Sequence, residues 1–213
     1  MSAAGQTEVT VIAPAAPRKR WFENVRADVR RAALDRVMER YEPATMEKIS
    51  AFFRINTQIV VAYRYQRWAR GVRIPGLGFL LRIPGAIYYK LVGMLTGSYI
   101  APDADIGPGF LVHTSFGLNV GGTKIGSNCT VQSGVGIAAG SRGIGDNVYF
   151  GAGAKLIGDA RIGNNVVVVA NSLVLTDVAD NTTIVGVPAR IKLRGGRPQR
   201  FKKVAATQPK QNS

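Results

Sequence analysis

From Ile100 the chain can be written in sixes: IAPDAD, IGPGFL, VHTSFG, LNVGGT(K), IGSNCT, VQSGVG, IAAGSR(G), IGDNVY, FGAGAK, LIGDAR, IGNNVV, VVANSL, VLTDVA. A large apolar residue opens every one: Ile100, Ile106, Val112, Leu118, Ile125, Val131, Ile137, Ile144, Phe150, Leu156, Ile162, Val168 and Val174. The phase holds once a single extra residue is allowed at Lys124 and another at Gly143. The fifth place is mostly small or apolar as well, with Ala104, Phe110, Phe116, Cys129, Val135, Val148, Ala154, Ala160, Val166 and Val178. A helix repeats near 3.6 and a strand near 2, so a strict six means short strands joined by regular corners. Gly, Asn and Asp supply the corner backbone. Three hexads make one three-sided turn of a solenoid, and the thirteen hexads give a little over four turns.

Spacing does not fix the handedness of such a coil, because parallel crossovers are normally right-handed. Ahead of the repeats, residues 20 to about 42 have helical spacing of Trp21, Phe22, Val25, Val29, Ala32, Ala33 and Val37. Residues 46–70 predict a second helix, and 77–96 predict broken helical pieces around Pro84 and Gly85. Phe52, Phe53, Tyr63, Tyr65, Trp68, Tyr88 and Tyr89 are expected to pack between these helices and against the first coil. The domain organisation is therefore an arm over 1–19, a helical region over 20–98, a solenoid over 99–192 and a basic tail over 193–213. Residues 1–17 and 196–213 are poor in large apolar residues and predict disorder.

The formal charge of +15 divides unevenly. Residues 1–98 carry 16 basic and 7 acidic residues, residues 99–190 carry 5 and 6, and residues 191–213 carry 7 and none. A nearly neutral centre between basic flanks argues against a nucleic-acid groove through the core. The Arg-rich helical face reads as solvated charge, and it can also rest on an anionic membrane surface. Apolar stretches between 51 and 97 are interrupted by Arg and Lys too often to span a bilayer. Lacking a secretory signal pattern and holding one cysteine, the chain is expected to be cytoplasmic, at most at the inner face of a membrane.

His113 is the only histidine. Following the apolar place of its hexad, it starts near a corner rather than in the core. Packing and general-base catalysis are both open to it on the residues alone.

The order of these segments resembles the hexapeptide-repeat acyltransferases. The resemblance covers nearly all of 22–192 and is carried by FENVRADVRRA, LTGSYIAPDADIGPGFLVH, IGDNVYFGAGAKLIGDARIGNNVVVVANSLVLTDV and IVGVPARI. It is similar to the serine O-acetyltransferase branch, and most of all to the relatives that acetylate bacterial polysaccharides of the colanic-acid type. The resemblance implies a left-handed parallel β-helix, usually trimeric, that moves acetyl from acetyl-CoA to a hydroxyl with His113 as general base. It implies a coenzyme groove between subunits, lined by Gly151, Ala152, Gly153, Ala170 and Asn171 and closed by Gly186 to Arg190. Lys155, Arg190, Lys192 and Arg194 are candidates for the coenzyme phosphates by charge.

Two departures from the serine enzymes bear on the acceptor. Val112 stands where they carry an aspartate, and the loop GIAAGSRGIGDN has Arg142 but no second histidine. Tyr99 aligns with the aspartate one coil earlier, leaving Asp103, Asp105 or a backbone carbonyl to orient the imidazole. Tyr99 and Arg142 become candidates for acceptor contact. The acceptor expected from these differences is a sugar hydroxyl, soluble or lipid-linked, in surface-glycan synthesis. Serine acetylation in cysteine biosynthesis is the alternative, and a noncatalytic scaffold the second.

Cys129 could carry acetyl as a thioester, but its fifth place predicts core packing. Asp146 with Asn147, and Asn164 with Asn165, read as corner residues. A zinc site of three histidines is excluded by the single His113, so no metal is expected. Exposed solenoid ends need covering; the helices can cap one and the segment after Val185 the other. A homotrimer is expected, with pairing of trimers through the helices as a further arrangement.

Overall fold

The computed structural model describes residues 21–34, 44–72 and 77–192. The arm before Trp21, the tail after Lys192 with Arg194, and the end expected for the first helix lie outside the described residues.

Four helices come first: α1 (Trp21–Leu34), α2 (Thr45–Phe52), α3 (Ile55–Gly71) and α4 (Leu77–Thr96). The single helix expected over 46–70 is broken at Phe53 and Arg54. There Arg54 turns to extended backbone, and its guanidinium reaches back to the Ala32 carbonyl at 2.9 Å. At this break Phe53 is exposed, touching the Phe52 ring edge-on rather than packing between the helices as expected. Conversely, α4 runs unbroken through Pro84. Tyr65 of α3 lies against Gly85 where any Cβ would collide with its ring, and its hydroxyl donates to the Leu81 carbonyl at 3.1 Å. Close packing on α3 holds the helix together across the lost Pro84 N–H.

After Thr96 the chain winds into a parallel β-solenoid of five turns with three faces. Face A stacks Ile100, Val120, Ile137, Leu156 and Val174 in register. Face B stacks Ile106, Ile125, Ile144 and Ile162, with Val178 added by a single bridge. Face C stacks Val112, Val131, Phe150, Val168 and Ile184. All thirteen hexad-opening residues are buried. Each such side chain contributes about 1.5–3 kcal/mol by leaving water.

The register corrects the hexad phase in two places, the first of them after Val112. Val120, not Leu118, pairs with Ile100. The step from Val112 is therefore eight residues and the next, to Ile125, is five. The lengthening lies in the corner that begins at His113, not at Lys124. Leu118 takes the buried place two residues earlier, and Phe116 is pushed out to 57 % exposure. The second irregularity sits at Gly143 as expected, with φ 118°. Val178 opens a side rather than filling a fifth place, which completes a fifth turn.

The helices are bolted to the first turn by charge. Arg64, 4 % exposed, donates to Asp28 at 3.0 Å and to the carbonyls of Ile106 and Gly107 at 2.5 and 2.6 Å. The Asp28 carboxylate, 2 % exposed, also accepts the Phe110 N–H at 2.8 Å. Burial pushes the Asp28 carboxyl up, against the opposing pull of Arg64. Arg31 donates to the Gly109 carbonyl at 2.5 Å and to Thr130 Oγ1 at 2.8 Å, while Arg67 pairs with Asp105 at 2.6 Å. These arginines are not the solvated face that the sequence predicts. Tyr63 and Tyr89 add hydroxyl bonds to the Ala104 and Ile100 carbonyls, each at 2.6 Å. At the far end Thr183–Val185 pairs antiparallel with Arg190–Ile191, so the GVPAR segment folds back as a closing hairpin.

Candidate active site at the corner of His113

His113 leaves face C at the lengthened corner and is exposed. Its N–H continues the ladder to the Val131 carbonyl at 3.0 Å, and its carbonyl accepts from Asn56 Nδ2 at 2.5 Å. Asn56 Oδ1 accepts in turn from the Ser115 hydroxyl at 3.0 Å and the Ser115 N–H at 3.3 Å. On the other side Ser98 donates to the Ser115 carbonyl and accepts the Leu118 N–H at 3.0 Å. The Gly117 N–H donates to the Thr96 carbonyl at 3.2 Å. Start of α3 and end of α4 therefore brace the extra length of this corner from two sides. None of Asn56, Ser98 and Ser115 is conspicuous in the sequence, since the contacts cross between the helical region and the coil.

Below His113 the same corner repeats turn by turn. Gln132, Gly151 and Val169 succeed it as the first residues off face C, donating to the Phe150, Val168 and Ile184 carbonyls at 3.1, 2.8 and 3.0 Å. Gly117, Gly134, Gly153 and Asn171 form a second row, all at positive φ of 68°, 67°, 72° and 58°. Gly134 lies 3.7 Å from where a Cβ on Gly117 would stand, so these backbones touch. The N–H groups of Gly153 and Asn171 are spent on the Ser133 and Ala152 carbonyls, each at 2.8 Å. Those of Ala152 and Ala170 stand outside this ladder among the described residues. Gly151, Ala152, Gly153, Ala170, Asn171 and Gly186 thus share one vertical edge with His113. At 4.7–4.9 Å per strand, the four steps from His113 to Gly186 span about 19 Å.

Tyr99 and Lys155 lie on face A beside that edge, in the outward row Tyr99, Asn119, Gly136, Lys155, Leu173. Lys155 Nζ donates to the Gly134 carbonyl at 2.5 Å. Arg190 is exposed on the closing hairpin opposite Val185, while Lys192 follows on its outer strand with its N–H on the Thr183 carbonyl at 2.9 Å.

Other candidates are placed elsewhere. Arg142 occupies the corner between faces A and B, where it bonds the Asp159 carbonyl at 2.7 Å and the Asp177 carboxylate at 2.5 Å. The Arg161 N–H and this guanidinium hold Asp177 below the usual carboxylate range. Within one chain Arg142 does not meet His113, because the two sit on different corners of the coil. Asp103 precedes face B and Asp105 lies on it, held by Arg67, so within one chain both belong to a different side of the coil from His113. Val112 is turned into the core against Val131. Cys129 is fully buried, and burial pushes its thiol up to about 11. It is a core residue, unsuited to nucleophilic attack near neutral pH. Asp146, Asn164 and Asp180 cap successive corner N–H groups at 2.6–2.8 Å, and Asn147 and Asn165 adopt positive φ, as corner residues should.

A void of only about 10 Å³ underlies the His113 corner, lined by Asp28, Asn56 and Val112 among others. A wider hollow of about 270 Å³ lies across face B, between Lys124, Asp146 and Arg161. Within one chain His113 stands exposed on this edge.

Residues 143–176 match the family described as bacterial transferase hexapeptide (six repeats). A serine acetyltransferase of Synechococcus elongatus is 36 % identical over 147 residues, covering 65 % of this chain and 57 % of that protein. One from Staphylococcus epidermidis is 40 % identical over 116 residues, covering 51 % and 54 %. The chain thus spans little more than half the length of these curated relatives. The crystal structure of Neisseria gonorrhoeae serine acetyltransferase in complex with serine superposes with a TM-score of 0.64 at 27 % identity, over 82 % of this chain and 69 % of that one.

Proposed function

We propose that the chain is an acetyl-CoA-dependent O-acetyltransferase of the serine acetyltransferase type, acting at the corner of His113. The observation that carries this reading is the edge itself, where a single exposed imidazole heads a column of small corner residues. His113 takes the proton of the acceptor hydroxyl as its oxygen attacks the thioester carbonyl carbon. The C–S bond then breaks, the coenzyme thiolate leaves, and the proton passes from the imidazolium to it. The column from Ala152 to Gly186 suits the extended carrier arm, with the Ala152 and Ala170 N–H groups as donors and Lys155 and Arg190 near the phosphates. Arg194 is a further candidate for them, and Lys192 a weaker one. Because the edge is open, a neighbouring copy would close it, which supports a homo-oligomer; we take it as a homotrimer working in the cytoplasm.

Serine is the acceptor best supported, since the relatives are named for it and the gonococcal enzyme was solved with it. A sugar hydroxyl is the second reading. It is favoured by three observations: Val112 faces the core, Tyr99 brings a neutral phenol, and Arg142 is paired with Asp177.

The test is acetyl-CoA turnover, followed by thiol release, with serine and with a panel of sugars, in wild type and His113→Ala. Turnover with serine, lost in the variant while coenzyme binding and assembly persist, supports the main reading. Turnover with sugars alone selects the second. No coenzyme binding at all would leave a scaffold.

A further inference from the structure

Helix α4 is apolar on both sides. Its inner face, with Gly85 and Val92, packs on α3 and the first turn. Its outer face carries Leu80, Ile83, Ile87, Leu91 and Met94 at helical spacing, 45–73 % exposed. A helix apolar all round is normally covered on all sides, and exposed patches of this kind mark contact surfaces. The charge around it is one-sided. α4 contains Arg82 and Lys90 and no acidic residue, and Lys90 falls along the outer stripe, seven residues after Ile83 and four before Met94. From Thr45 to Thr96 the chain has eight Lys and Arg against one acid, Glu47, although Arg54, Arg64 and Arg67 among them are turned to α1 or the solenoid. Among the described residues no helix is long and apolar enough to cross a membrane.

From this geometry we infer that α4 is an in-plane anchor that seats the outer stripe in the surface of an anionic lipid bilayer. Aliphatic side chains enter the acyl boundary, and Lys90 extends along the stripe to reach lipid phosphates. A second copy docking symmetrically on the same face would bring like charges together, whereas anionic lipid neutralises them. The inference does not depend on acetyl transfer. It also moves the membrane contact away from Arg31, Arg64 and Arg67, which are committed to the solenoid. α4 ends at Thr96, whose carbonyl holds Gly117 in the corner of His113, so the anchor would set that corner near the lipid surface.

The test is flotation of the full chain with vesicles of phosphatidylcholine alone and of phosphatidylcholine mixed with phosphatidylglycerol, alongside sedimentation to follow assembly. Wild type should float with the anionic vesicles and be released by high salt. Lys90→Glu should lower partition on the order of tenfold, and a Leu80→Ser, Ile87→Ser, Leu91→Ser variant should stay behind with unchanged mass. Failure of wild type to float, or flotation unchanged in both variants, overturns the inference. A triple variant that falls to a smaller assembly assigns the face to a second copy and overturns it as well.

Discussion

Asn56 holds the backbone of His113 through its Nδ2 at 2.5 Å while its Oδ1 receives the Ser115 hydroxyl at 3.0 Å. One side chain from α3 thus spans the corner on which the sole imidazole rides. Asn56→Ala should lower kcat about tenfold with little change in KM for the coenzyme, because it loosens the base without touching the column. It should cost about 1–2 kcal/mol of stability for the lost hydrogen bonds. Steady-state kinetics beside denaturant unfolding separates the two effects; an unchanged kcat would remove Asn56 from the positioning of His113.

The Asp28–Arg64 pair is buried on both sides. Asp28→Ala leaves the guanidinium without its carboxylate and should destabilise the chain by about 3–5 kcal/mol. The double variant with Arg64→Met should recover part of this. Urea midpoints of both variants give the measurement, and a single variant within 1 kcal/mol of wild type, roughly the value of one ordinary hydrogen bond, would refute the role.

Gly153 has φ 72°, and a Cβ there would collide with Asn171 Oδ1. Gly153→Ala should cost about 1–2 kcal/mol from backbone conformation and weaken coenzyme binding as the corner shifts. Gly158→Ala, at φ 84° with open space around it, carries the backbone strain alone. Coenzyme affinity measured by calorimetry should fall in the first variant and hold in the second.

Cys129 titrates late because burial disfavours its thiolate. In the unfolded chain the thiol ionises near its ordinary value of 9.0, and in the folded chain only at about 11. A raised folded value means that the contribution to stability is fully present below pH 9.0 and declines as pH rises toward about 11. Wild type should therefore lose more stability than Cys129→Ala across that interval. Native alkylation by iodoacetamide should be slow at neutral pH, and Cys129→Ala should retain turnover; a dead variant would revive the thioester route.

The strand stack was legible because burial imposes it residue by residue: Ile100, Ile106 and Val112 each open a side, and a polar residue there would lie in the core. His113 was legible as a corner residue for the same reason. The assignment of Leu118 failed because both Leu118 and Val120 are apolar and buried, and only hydrogen-bond register chooses between them. Asn56, Ser98 and the buried Asp28–Arg64 pair were hidden because they act between segments far apart in the chain, where local periodicity carries no signal. Arg142 entered through the resemblance of its loop alone, and within one chain counting sides places it one corner away from His113.

The long step from Val112 to Val120 is followed by a short one to Ile125, and every strand above and below still meets its partner. Corner length and strand register are therefore separate variables in this coil. A corner can grow to present a new side chain without disturbing the stack, provided that the strands on either side keep their register. Such a molecule keeps its architecture in the strands and its chemistry in the joints, and the two can diverge at different speeds.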